Sequence, residues 1–165
     1  MQATPTALDQ QVPRPPKELL ASTGFLLARL GYALKARSIK EFELAGLVPY
    51  HYSVLALLDE GACQSQATIA EALRLDRSQL VGLLDGLEER GLVERRRDRN
   101  DRRRHLVSLT PSGRGALAKC RAIVKRLEGE FLAPLDEESR QTLHDLLLQL
   151  ARHYDQRFGP GGESG

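Results

Sequence analysis

Between Ile69 and Leu109 the chain carries two short helical patterns, a tight turn and an arginine-rich hairpin, and this succession restricts the fold more than any other feature. Ile69, Ala70 and Leu73 mark the first helix and Leu80, Leu83, Leu84 and Leu87 the second, with Leu75 plugging the turn between them. Asp76 or Ser78 is placed to cap the second helix, and Gly91 ends it. Residues 92–97 then read as a strand, residues 98–103 as a polar hairpin tip, and His105 to Leu109 as the return strand. Thr110-Pro111 starts a further helix, a capping hydroxyl followed by proline at the first helical position.

Two short helices followed by a two-stranded hairpin form a winged helix-turn-helix when the second helix can enter a major groove. At about 100° per residue, its leucines share one side and Ser78, Gly82, Asp85 and Glu89 face away. Arg77, Ser78 and Gln79 at its amino end can bond base edges or phosphates. Asp85, Glu88 and Glu89 would be repelled by DNA, so only the first two turns are expected to enter the groove. Gly82 costs the helix about 1 kcal/mol relative to Ala, and a close approach to the groove is one reason to keep it.

Charge is distributed to match. The full chain of 165 residues has 24 Lys and Arg against 22 Asp and Glu, a net +2 that by itself suggests no nucleic-acid partner. Residues 90–104, however, hold eight Arg against three acids, a local +5 that leaves −3 elsewhere. Nineteen of the 24 basic residues are Arg, whose planar fork suits phosphate and guanine edges better than lysine does. Arg95, Arg96 and Arg97 on the arms are expected to meet phosphates, and Arg99, Arg102 and Arg103 near the tip an adjacent minor groove. Asp98 and Asp101 would waste affinity if they faced DNA, so at least one should pair with an arginine, with Asp101 orienting Arg103.

The flanks read as long helices. Leu19, Thr23, Leu26, Leu27, Leu30 and Leu34 mark one face of a first helix over residues 17–43, with Gly24 and Gly31 as weak points. A second helix is expected over 49–59, begun by Pro49 and ended before Gly61. After Thr110, the residues Leu117, Cys120, Val124, Leu127 and Phe131 form a seam suited to a partner helix, broken by Pro134. Asp136 caps a last helix with Leu143, Leu146, Leu147, Leu150, Tyr154 and Phe158 on one stripe. The fold class is therefore mainly α, a winged helix-turn-helix over about 49–110 with a two-stranded β wing and long terminal helices, 17–45 and 111–158, that form a dimerisation region. Four of the eight prolines lie in the first 16 residues and the chain ends in a glycine-rich run, so 1–16 and 159–165 are expected to be disordered tails. The terminal stripes exceed what one small winged domain covers, which predicts a homodimer reading two half-sites about one helical turn apart.

The wing is similar to a family signature. Arg90-Gly91-Leu92-Val93-Glu94-Arg95, then Asp101-Arg102-Arg103-Arg104-His105-Leu106-Val107-Ser108-Leu109-Thr110-Pro111-Ser112-Gly113, resembles the MarR family of bacterial transcription regulators. That pattern is Asp-x-Arg, an apolar strand ending Leu-Thr, then Gly, and the likeness extends over about 17–158. The resemblance implies a homodimeric fold with interlocking terminal helices, a wing-tip arginine at Arg103 and an orienting aspartate at Asp101. It also implies a repressor of a palindromic operator, released by a small phenolic or lipophilic effector bound between the dimerisation helices and the DNA-binding lobe, where Tyr32, Arg37, His51 and Tyr52 are the candidate contacts. Gly82 departs from relatives that more often carry a side chain there.

Other classes find less support. The four histidines sit in separate elements, with no His-x-x-x-His, Cys-x-x-Cys, phosphate loop or nucleophile elbow, so no catalytic residue, metal site or cofactor is expected. A winged-helix module that binds protein would leave the wing's charge unused. A thiol-based redox regulator would have to use Cys63 in its loop, because Cys120 lies on an apolar stripe. The longest uncharged run, residues 44–58, is too short and interrupted to span a bilayer, and the amino terminus lacks a secretory pattern, so the expected location is cytoplasmic.

Overall fold

The computed structural model describes residues 14–61, 64–99, 101 and 104–159. The chain divides into two compact units, residues 1–37 and 38–165. The first unit contains α1 (Lys17–Leu20) and most of α2 (Thr23–Leu44), whose last two turns lie in the second. The single helix expected over 17–43 is thus two. Ser22 interrupts it, its Oγ accepting the Phe25 N–H at 3.2 Å, because a serine side chain competes for the orphan donors of a new helix start. Gly24 and Gly31, the expected weak points, lie inside α2. Leu19, Leu20, Leu26, Leu27 and Leu30 of this unit are exposed.

The second unit continues with α3 (Pro49–Glu60), β1 (Gln64–Ser65), α4 (Gln66–Leu73), α5 (Arg77–Glu89), β2 (Val93–Arg97), β3 (His105–Leu109), α6 (Pro111–Phe131) and α7 (Glu137–Tyr154), and closes on a 3-10 turn, Gln156–Phe158. The sheet is antiparallel in the order β1-β3-β2, with Val93 opposite Leu109 and Arg97 opposite His105. The third strand, β1, was not expected: two residues, Gln64 opposite Val107 and Ser65 opposite Leu106, are too few to show alternation. Ser65 also caps α4, accepting the Thr68 N–H at 3.1 Å.

One core joins these elements. Val54, Leu55 and Leu58 of α3 meet Ile69 of α4, Leu80, Leu84 and Leu87 of α5, Val93 and Val107 of the sheet, and Leu117 and Cys120 of α6. Each fully buried leucine contributes about 1.5–3 kcal/mol. The seam of α6 therefore needs correction: Leu117 and Cys120 are buried in their own chain's core, with Val124 packed against it, and are not held ready for a partner helix. The stripe of α7 differs, since no residue of that helix is buried and Leu146, Leu147, Leu150, Tyr154 and Phe158 are exposed. Among the described residues, no helix is long and apolar enough to cross a membrane.

The junction between wing and α6 is tight. Thr110 Oγ1 accepts the Gly113 N–H at 3.0 Å and donates to the Gly91 carbonyl at 2.7 Å. Gly91 takes a positive φ of 65°, which lets the chain leave α5 and enter β2. Gly113 faces the Leu92 carbonyl so closely that a side-chain carbon there would fall 1.9 Å from its oxygen.

Candidate nucleic-acid interface

The amino end of α5 is fixed by Asp76, the alternative that the structure selects over Ser78 as cap. Its carboxylate accepts the Gln79 N–H at 2.8 Å and the Ser78 hydroxyl at 2.7 Å, and Gln79 Oε1 accepts the Asp76 N–H at 3.3 Å. These bonds hold the Asp76 carboxyl below the usual aspartate range, the Ser78 hydroxyl contributing most. Two of the residues expected to face DNA therefore spend part of their bonding capacity on the helix start. Arg77, Ser78, Gln79 and Gly82 are all exposed, and a side-chain carbon at Gly82 would touch nothing within 4 Å. The helix end opens onto a cleft of about 550 Å³ lined by Ser65, Gln66, Thr68, Arg77, Arg104 and His105. Ser65 of β1, the α4 residues and His105 of β3 in this cleft were not singled out from sequence as a site, because only the sheet brings Ser65 and His105 to one place.

The wing presents its arginines unequally. Arg96, Arg97, Arg99 and Arg104 are exposed; Arg96 pairs with Glu94 at 3.0 Å and Arg104 with Asp101 at 3.5 Å. The tip is closed by the Asp98 N–H donating to the Arg104 carbonyl and the Arg104 N–H donating to the Asp101 carbonyl. Arg102 and Arg103, and with them the expected pairing of Asp101 with Arg103, lie outside the described residues. Arg90 at the end of α5 donates to the Gly46 carbonyl.

Arg95 takes a place that differs from the expected phosphate contact. Its Nε donates to Glu88 at 2.8 Å, its Nη2 donates to Asp85 at 2.6 Å and also to Glu88, and its own N–H donates to Glu88 Oε1 at 3.2 Å. Its side chain is 21% exposed against 75% for Arg96. Strand alternation explains this: Val93 faces the core, so Arg95 two residues on faces α5 while Arg96 faces outward. The bonds from Arg95 hold the Glu88 carboxyl below the usual glutamate range, and in turn raise the guanidinium.

The four expected effector contacts fall in different surroundings. Tyr32 and Arg37 are exposed in the first unit. In the second, His51 and Tyr52 are half-buried; His51 Nδ1 accepts the Val48 N–H at 3.2 Å, and the Tyr52 ring packs 6.1 Å from that of Phe42. Burial, aided by the nearby Arg90 charge, lowers the His51 imidazole below its ordinary value, which suits an acceptor nitrogen. Cys63 lies outside the described residues, and burial raises the Cys120 thiol.

Comparison with known proteins bears on this arrangement. The family model of the MarR family matches residues 47–105, the segment from just before α3 to the first residue of β3. A curated protein of Thauera aromatica, described as a putative transcriptional regulatory protein for the hcr operon, is 34% identical over 137 residues, 78% of this chain and 82% of that protein. Among solved structures, the transcriptional repressor CouR bound to a 23-mer DNA duplex is 33% identical with a TM-score of 0.75, covering 86% of this chain and 100% of its own. CouR from Rhodococcus jostii RHA1 bound to p-coumaroyl-CoA is 34% identical with a TM-score of 0.67, covering 82% and 96%. With the mainly helical fold and its small three-stranded antiparallel sheet, these likenesses place the chain in the MarR family of transcriptional regulators.

Proposed function

We propose that the chain is a homodimeric repressor that reads a palindromic operator and leaves it when a small aromatic or lipophilic effector binds. The observation that carries this reading is that Arg77, at a helix start whose geometry is fixed by the Asp76 cap, and Arg97 and Arg99 of the wing are all exposed. Arg77, Ser78, Gln79 and Gly82 approach base edges or phosphates at the major groove; Arg97, Arg99, Arg102 and Arg103 meet phosphates or the minor groove, with Asp101 orienting the tip. The exposed stripe of α7 supports the dimer, because contiguous apolar surface of this kind marks an association face. A regulator of this kind works in the cytoplasm, where its DNA is.

The effector class is narrowed by the relative that binds p-coumaroyl-CoA, which favours an aromatic acyl thioester or its parent acid. Tyr32, Arg37, His51 and Tyr52 are its candidate contacts. Selection of bound fragments from sheared genomic DNA, followed by binding to the enriched duplex with and without aromatic acids, phenols and p-coumaroyl-CoA, tests the reading. An enriched inverted repeat, released by one of these compounds, is expected; no enrichment over random fragments would exclude DNA recognition, and a duplex that none of the compounds releases would exclude the effector class.

A further inference from the structure

We propose that Arg95 is a positioning residue which ties the root of the wing to α5 and offsets one of the two negative charges of Asp85 and Glu88, rather than a residue that touches phosphate. The inference rests on the DNA-binding reading and adds the means by which an acidic helix approaches a polyanion. Asp85 and Glu88 stand one turn apart on α5, beyond the amino-terminal turns that enter the groove. Left unpaired, two carboxylates on the reading helix would oppose every nearby phosphate. Arg95 meets both. Its guanidinium donates to Asp85 at 2.6 Å and to Glu88 at 2.8 Å, and its backbone N–H adds a third tie to Glu88.

The position in the strand enforces the role. Arg95 pairs in register with the buried Val107 and follows the buried Val93 by two residues, so its side chain leaves the inner face of the hairpin toward α5. Arg96 and Arg97 on the same strand are exposed. A planar fork can serve two carboxylates at once, whereas an ammonium offers a single point charge. The wing and the helix are thereby held as one reading surface, and the charge of this carboxylate pair is halved, from −2 to −1, within the protein.

The test uses the full chain and a duplex enriched by the unmodified protein, measured over a range of salt, with circular dichroism on every variant. Arg95→Gln is expected to lower affinity about tenfold or more, the loss of hydrogen bonds to charged groups being of that order. Its slope of log affinity against log salt should stay near the parent value, while Arg97→Gln, which removes one phosphate contact from each of two subunits, should flatten the slope by about 1.8. Adding Asp85→Asn and Glu88→Gln to Arg95→Gln should recover most of the lost affinity. Arg95→Lys, which keeps the charge but not the fork, should still bind at least about threefold more weakly than the parent and serves if Arg95→Gln does not fold. A slope flattened as in Arg97→Gln, no recovery in the triple variant, or parental affinity in Arg95→Lys would each overturn the assignment. If the unmodified chain enriches no duplex, the DNA-binding reading itself fails, which is a separate result.

Discussion

Replacing Gly113 and Gly115 by alanine, one at a time, should shift stability in opposite directions although the two glycines share a helix. At Gly113 the new carbon would lie 1.9 Å from the Leu92 oxygen, 3.0 Å from the Leu92 carbonyl carbon and 3.2 Å from Leu109 Cδ2. Ordinary contact begins near 3.4 Å, so the backbone must give by more than an ångström. The same Leu92 carbonyl accepts the Thr110 N–H at 3.2 Å, so movement also loosens the cap of α6. Overpacking costs about 1–3 kcal/mol, and a weakened hydrogen bond about 1 kcal/mol. Alanine's helix preference offsets about 0.5–1 kcal/mol of this. The net for Gly113→Ala is a loss of about 2 kcal/mol. At Gly115 nothing lies within 4 Å, so Gly115→Ala should gain the propensity term alone. The two variants should therefore melt about 5–10 °C apart. Thermal unfolding followed by far-ultraviolet circular dichroism, at one fixed chain concentration so that the proposed dimerisation weighs equally on both variants, reads the difference. Melting within 2 °C of each other, about the effect of less than 1 kcal/mol, would refute the close-packing argument.

Thr110→Val keeps the shape of the side chain but removes its bonds to Gly113 and Gly91, and should cost about 1–2 kcal/mol in urea unfolding; unchanged stability would show that this cap does not hold the wing to α6. Acid should destabilise the protein in two stages. His51 has a lowered folded value, so its contribution is complete above the ordinary histidine value and is lost as pH falls through the folded value; His51→Leu should remove this first limb while lowering stability at neutral pH. Glu88, also lowered, contributes fully above the ordinary glutamate value and loses that contribution at more acidic pH, so Glu88→Gln should flatten the second limb. Urea midpoints measured from pH 7 to pH 3 check both, and parallel curves for parent and variants would count against the assigned interactions.

The recognition unit was legible in the sequence because its signals are local. The Thr110-Pro111 start, the capped amino end of α5 and the buried leucines of that helix follow from residue types at short spacing, and all are present. What escaped depends on pairings distant in sequence. β1 has only two residues and exists through β3, so no alternation announces it. Arg95 stands in a run of like charges that reads as one solvated face, although counting by twos from Val93 would have turned it inward to the carboxylates of α5. The seam of α6 shows the converse error. An apolar spacing of three and four states that a face is buried but not by what, and Leu117 and Cys120 are covered by their own chain. The break at Ser22 is a third kind of case, where one capping hydroxyl outweighs an unbroken apolar period.

The central claim is that α5 and the wing bind the DNA backbone through arginine, and the salt dependence of binding tests it most directly. Arg77, Arg97 and Arg99 in each of two subunits would neutralise at least six phosphates, so log affinity for the enriched duplex should fall against log salt with a slope of about −5 or steeper. A slope shallower than about −2 would contradict the account, because binding would then owe little to the charge that the wing displays.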